Sequence, residues 1–178
     1  MTQASERSPS DLARRMAKVG RRGGLALALA GAAAAGAHAA GRAEVSFVNA
    51  ERFSDIGLTA ADREAATRAI ARRFEQRARE LPDGQLLKVE VLDVDLAGEI
   101  VRGQANRRVV RGQADWPRMN FRFTLDEAGR PLTSGEARLS DMNFMRGMRR
   151  PGDDEPFAHD LRLIDDWFES AIAQPARR

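Results

Sequence analysis

Asp93 and Asp95 stand two apart in an otherwise apolar stretch, with Glu99 just beyond. Carboxylates at that spacing on a strand point to one side, where they could hold a hard cation through oxygen ligands or work as an acid/base pair. The competing reading is an ordinary polar sheet face, which they would share with Lys88 and Glu90. Met142, Met145 and Met148 recur at every third residue, and they are three of the four methionines beyond residue 39. Thioethers are soft ligands suited to Cu(I), but no histidine or cysteine lies near them in sequence, and methionine also fills gaps beneath loops. His159 is the only histidine beyond residue 39. On a helical wheel it falls opposite the apolar stripe and is expected to face water, and no G-x-S-x-G turn presents a serine to it. Arg146, Arg149 and Arg150 could meet phosphate, but a short basic cluster in a neutral domain is usually solvated. Arg118 and Arg122 alternate with phenylalanines on the opposite side of their strand, so charge and stacking do not converge on single-stranded nucleic acid. No catalytic residue and no cofactor emerge. Asp93, Asp95, Glu99, Asp141 and Arg149 remain as a candidate partner surface.

Hydrophobic periodicity supplies the elements that must position these groups. Glu44 to Val48 alternates as a first strand. Thr59 and Asp62 form a capping box for a helix whose buried stripe is Ala66, Ile70, Phe74, Ala78 and Leu81, and Pro82-Asp83-Gly84 ends it in a turn. Leu86 to Leu96 is a long strand whose apolar parity changes midway, from Leu87, Val89 and Val91 to Leu92, Val94 and Leu96. One inserted residue restores a single buried face, which predicts a bulge near Val91-Leu92. Glu99 to Asn106 reads as a polar loop, and Val109-Val110 begins a short strand. Pro117 to Leu125 is a strand with Met119, Phe121, Phe123 and Leu125 on one side. The loop Asp126 to Arg130 closes a hairpin onto Leu132 to Leu139, where Gly135 and Ala137 leave room for the facing rings. A last helix from about Glu155 to Ile172 places Phe157, Leu161, Ile164, Trp167, Phe168, Ala171 and Ile172 in one arc of about 140°. The acids Asp153, Asp154 and Glu155 suit its first turn. The order β-α-β-β-β-β-α predicts an α+β fold, an antiparallel sheet of about four to five strands with two helices on one face.

The chain has 178 residues, 29 of them basic and 26 acidic. Six of the basic and two of the acidic residues lie in 1–39, which leaves 23 against 24 and a net charge of −1 for the remainder. Such a surface does not attract nucleic acid or anionic lipid broadly. With no cysteine, disulfides, thiolate chemistry and a lipoprotein anchor are excluded. Residues 1–39 read as a signal peptide: a basic stretch ending at Arg21-Arg22, an apolar run from Leu25 to Ala37, and Ala37-His38-Ala39 for cleavage between Ala39 and Ala40. Thirteen residues at about 1.5 Å each fall short of the ~30 Å hydrocarbon core. The arginine pair resembles a twin-arginine signal, with Gly20 and Gly24 departing from that pattern, so both the twin-arginine and Sec routes stay open. Residues 40–173 form one domain and Gln174 to Arg178 a frayed tail.

Four stretches carry a resemblance. They are Val45-Ser46-Phe47-Val48-Asn49 with Arg52-Phe53-Ser54-Asp55, then Leu87 to Glu99, then Leu139-Ser140-Asp141-Met142-Asn143-Phe144, and last Asp165-Asp166-Trp167-Phe168. Together they resemble a proteobacterial exported family, domain of unknown function 3016, over about residues 43 to 169, with Ala50 where that family has proline. The resemblance implies export and the fold and brings no catalytic residue. The expectation is a periplasmic, non-catalytic binding or assembly module whose partner is an envelope protein or small ligand, without nucleic acid and without a membrane span after cleavage. A copper protein using the methionines and a carboxylate-based hydrolase are the alternatives.

Overall fold

The computed structural model describes residues 40–101, 103, 107–110, 114–146 and 155–173. Residues 1–39, where the sequence predicts a signal peptide, the residues Met148, Arg149, Arg150, Asp153 and Asp154, and the residues Gln174 to Arg178 lie outside the described residues. Among the described residues no helix is long and apolar enough to cross a membrane.

Strand β1 (Arg42–Phe47) turns Ala43, Val45 and Phe47 toward the core. Helix α1 (Ala60–Ala78) opens with the expected capping box. The Asp62 N–H donates to Thr59 Oγ1 at 3.1 Å, and the Thr59 N–H donates back to Asp62 Oδ2 at 3.0 Å, which satisfies two amides at the helix start. Ala66, Ile70, Phe74 and Ala78 form its buried stripe, and Leu81 is buried just past its end. Strand β2 (Gln85–Asp95) then lies beside β1 in parallel, not antiparallel. The cause is α1 itself: a helical crossover carries the chain back to the end from which β1 started, so the second strand runs the same way. The resulting fold is α+β, with a four-stranded mixed sheet in the order β1-β2-β5-β6 and a separate two-stranded sheet.

The pairing of β2 with β5 (Arg118–Glu127) shifts register between Val91 and Asp93. Leu92 takes the extra place, half-buried, and the shift returns Val94 to the buried face. The hairpin from β5 to β6 (Arg130–Ser140) is tighter than the predicted loop, closing Glu127 against Arg130. Ala128 and Gly129 both take positive φ, 49° and 80°, the backbone required by a two-residue turn that matches strand twist. Gly135 faces Phe123 and Ala137 faces Phe121, as the residue sizes predict. A Cβ at Gly135 would stand 3.3 Å from the Phe123 ring.

Two segments depart from expectation. Glu99–Val101 is not loop but β3, paired antiparallel with β4 (Arg107–Val109), which starts before Val109. Three-residue strands are too short for alternation to register in sequence. Gly98 permits the turn into β3: its φ is 81°, and a Cβ there would lie 2.7 Å from the Val109 carbonyl oxygen. The last helix, α2 (Ala158–Trp167), begins three residues after Glu155 and widens into a π-helical turn, Phe168–Ala173. Phe157 caps it with φ 65°, a left-handed backbone uncommon for a bulky residue.

Both helices cover one face of the sheet. The Trp167 ring centroid stands 4.8 Å from Phe121 and 5.0 Å from Phe123, and Phe74 meets Phe121 at 5.3 Å, each pair edge-on. Edge-on packing sets positive ring edges against negative faces, so this centre is directional as well as apolar. Phe121→Ala is expected to lower stability by about 3–5 kcal/mol in urea unfolding. Leu132→Ala on the exposed edge strand should cost no more than about 0.5 kcal/mol; comparable losses at both positions would mean that the core is centred elsewhere.

Candidate functional site

The charges on the sheet's open face are largely engaged with one another. Lys88 Nζ lies 2.8 Å from Asp126, and Arg122 lies 3.1 Å from Glu90. Asp95 pairs with Arg118 directly across the strands. Asp93 accepts from the Ser54 N–H at 2.7 Å and from Ser54 Oγ at 2.8 Å, which fastens the loop after β1 to the bulged part of β2. Glu99 sits on β3, exposed, beyond the turn at Gly98. Among the described residues no three histidine, aspartate or glutamate side chains gather as a metal site.

Asp141 shapes a turn. Its Oδ1 accepts from the Asn143 N–H at 2.8 Å, and its own N–H donates to the Pro117 carbonyl at 3.3 Å. That turn buries Phe144 and leaves Met142 and Met145 60% and 47% exposed. Met148 and Arg149 lie outside the described residues. His159 does not face water as the helical wheel suggests. It is half-buried, with its ring edge-on to Phe144 at 4.9 Å. The turn at Asp141 folds its phenylalanine against the polar side of α2, a long-range contact that a helical period does not encode.

A denser site lies where β2 ends, β4 passes and α2 begins. The Arg108 guanidinium is its hub. Nη1 donates to the carbonyls of Leu96 and Gly98 at 3.2 and 2.6 Å, and Nη2 donates to Asp55 Oδ1 at 2.7 Å. Asp55 is itself stitched to the sheet: its N–H donates to the Val94 carbonyl at 3.0 Å, and its carbonyl accepts from the Leu96 N–H at 2.9 Å. One residue on, the Ala97 N–H donates to Asp160 Oδ1 at 2.8 Å. Asp160 is only 3% exposed, and it borders a cavity of about 350 Å³ with Ala97, Arg108, Val110, Phe157 and His159.

Burial pushes the Asp160 carboxyl up to about 6 from its ordinary 3.8, and the nearby Asp55 carboxylate adds to the rise. The Ala97 hydrogen bond and the Arg108 charge oppose it. The sequence held a signal for this residue. At about 100° per residue Asp160 falls inside the same arc as Ile164 and Trp167, so an acid occupies the buried stripe. Arg108 had no comparable signal, since nothing local marks a short strand's arginine as the partner of Asp55.

A family model described as protein of unknown function (DUF3016) matches residues 41–170. No curated protein and no solved structure matches the chain.

Because the Asp160 carboxyl is raised in the folded state, folding takes up a proton between about pH 4 and 6. The stability this group confers is full below about pH 4, falls as pH rises through about 6, and is gone above it. Urea unfolding across pH 4 to 8 is expected to show a loss of about 3 kcal/mol assignable to this group. Asp160→Asn should flatten that part of the profile and be at least as stable as the parent at pH 8. Parallel profiles for the two proteins would show that Asp160 is not held in this way.

Proposed function

We propose that this chain, which belongs to the DUF3016 family of proteins of unknown function, is an exported, non-catalytic binding module of the periplasm that takes a small ligand in the cavity at the start of α2. The observation that carries this reading is Asp160. An acid held where burial opposes its charge lowers stability at neutral pH, and ionisable groups kept at such cost beside a cavity are candidates for functional sites. An apolar residue of similar size at that point in the stripe would pack without the penalty.

The lining supports recognition over covalent chemistry. Among the described residues it offers the Asp160 and Glu155 carboxyls, the His159 imidazole and the Phe157 ring, but no hydroxyl, thiol or amine nucleophile. Three of the Arg108 donors are engaged by Asp55 and two carbonyls, so the arginine supplies rigidity and charge to the wall. A rigid wall with a few fixed polar groups is the usual build of a small-molecule pocket. Export rests on residues 1–39, with their arginine pair, short apolar run and Ala37-His38-Ala39.

Two measurements test the reading. Fractionation with N-terminal sequencing is expected to recover a periplasmic protein that begins at Ala40; unprocessed protein confined to the cytosol would contradict export. Native mass spectrometry of protein isolated from the periplasm should find a non-covalent small molecule that is absent from a Val110→Trp variant with the cavity filled. Ligand-free protein in both cases would remove the cavity from the account.

A further inference from the structure

A second concave surface lies between α1 and the start of α2, with a volume of about 410 Å³. It shares Glu155, Pro156 and Phe157 with the wall of the Asp160 cavity but draws its charge from α1. Its floor is apolar: Ala65 and Ala69 on α1, Phe157 and Leu161 on α2. Arg68, Arg72 and Arg73 stand around that floor, with Glu155 as the acid among the described lining residues and with Glu64 and Asp165 reaching Arg68 and Arg73 from outside it.

The three arginines are not equally engaged. Arg68 pairs with Glu64 one turn earlier on the solvent side of α1. Arg73 has Glu155 and Asp165 only at 3.5 Å, and its buried Nε–H finds no acceptor. Arg72 has no hydrogen bond or ion pair among the described residues. Arg77, one turn further along, also keeps a buried Nε–H without an acceptor among the described residues, but its outer nitrogens meet Glu80 at 3.0 Å and Glu169 at 3.3 Å and it stacks over the Phe168 ring. Guanidinium donors that lack close acceptors beside an apolar floor favour an anion that brings its own apolar body, because charge and desolvation are then satisfied together.

We propose that this groove binds a small amphiphilic carboxylate, its charged end against Arg72 and Arg73 and its apolar body on Ala65, Ala69, Phe157 and Leu161. The surface small residues of α1 acquire a purpose on this reading. Ala65 and Ala69 keep the floor low between the arginines, where longer side chains would fill it.

Calorimetric titration of the full chain with decanoate, decyltrimethylammonium and inorganic sulfate at one ionic strength tests the proposal. Decanoate is expected to bind saturably at one site, sulfate at least about tenfold more weakly, and the cation not measurably. Arg72→Ala, at an exposed position that leaves the fold intact, should weaken decanoate by about tenfold, the loss expected for one charge-assisted contact. Ala65→Leu should weaken it as well by raising the floor. Val110→Trp fills the other cavity and should leave decanoate binding unchanged, so this groove and the Asp160 site can fail separately. The proposal is overturned by absent decanoate binding, by equal affinity in Arg72→Ala, by equal affinity for the cation, or by sulfate binding as tightly as decanoate. A loss of decanoate binding in Val110→Trp would overturn the location.

Discussion

A half-buried arginine needs acceptors for the donors it turns inward, and at Arg108 that need fixes the arrangement of one end of the molecule. Its donors take up the carbonyls of Leu96 and Gly98, where β2 has run out of strand partners, and its charge meets Asp55 in the loop after β1. Three segments distant in sequence are thereby tied to one planar group. The Ala97 amide, held between those two carbonyl-bearing residues, is left to donate to Asp160 and so sets the position of α2. Without the guanidinium, two carbonyls and a carboxylate would lose partners together, a far larger disturbance than the loss of one surface ion pair.

This hub gives the cavity beside α2 its character. Asp160 would titrate still higher if burial acted alone, and the Ala97 hydrogen bond and the Arg108 charge bring it back to about 6. The opposing effects leave a group that changes charge within the range of mildly acidic and neutral surroundings. On the sheet's open face, by contrast, Asp93 and Asp95 hold strands and loops in register and face partners already within reach. Phe157 sits between the two concave surfaces with a left-handed backbone that a bulky residue rarely adopts. Strain of this kind persists only where neighbouring packing over-determines it.

Local patterns in the sequence translated faithfully. The Thr59–Asp62 box, the stripe from Ala66 to Ala78, the parity change that marks the bulge and the small residues opposite Phe121 and Phe123 all depend on neighbours a few residues away or on a regular period. Features set by distant contacts did not. The parallel placement of β1 depends on how α1 crosses the sheet, and the β3-β4 pair is too short to carry a period. The helical wheel sets His159 opposite the apolar stripe and toward water, yet Phe144 arrives there from another part of the chain. Asp160 is the instructive case: its place within the apolar arc was visible, and only the tertiary amide of Ala97 explains how an acid can stand there.

The central claim is that Arg108 and burial together set the state of Asp160. Carbon-13 NMR titration of the Asp160 carboxyl, in the parent protein and in Arg108→Gln, tests it most directly. The account predicts a midpoint near 6 in the parent and a higher one when the guanidinium is absent. A midpoint at the ordinary 3.8, or one that does not move in Arg108→Gln, would contradict it.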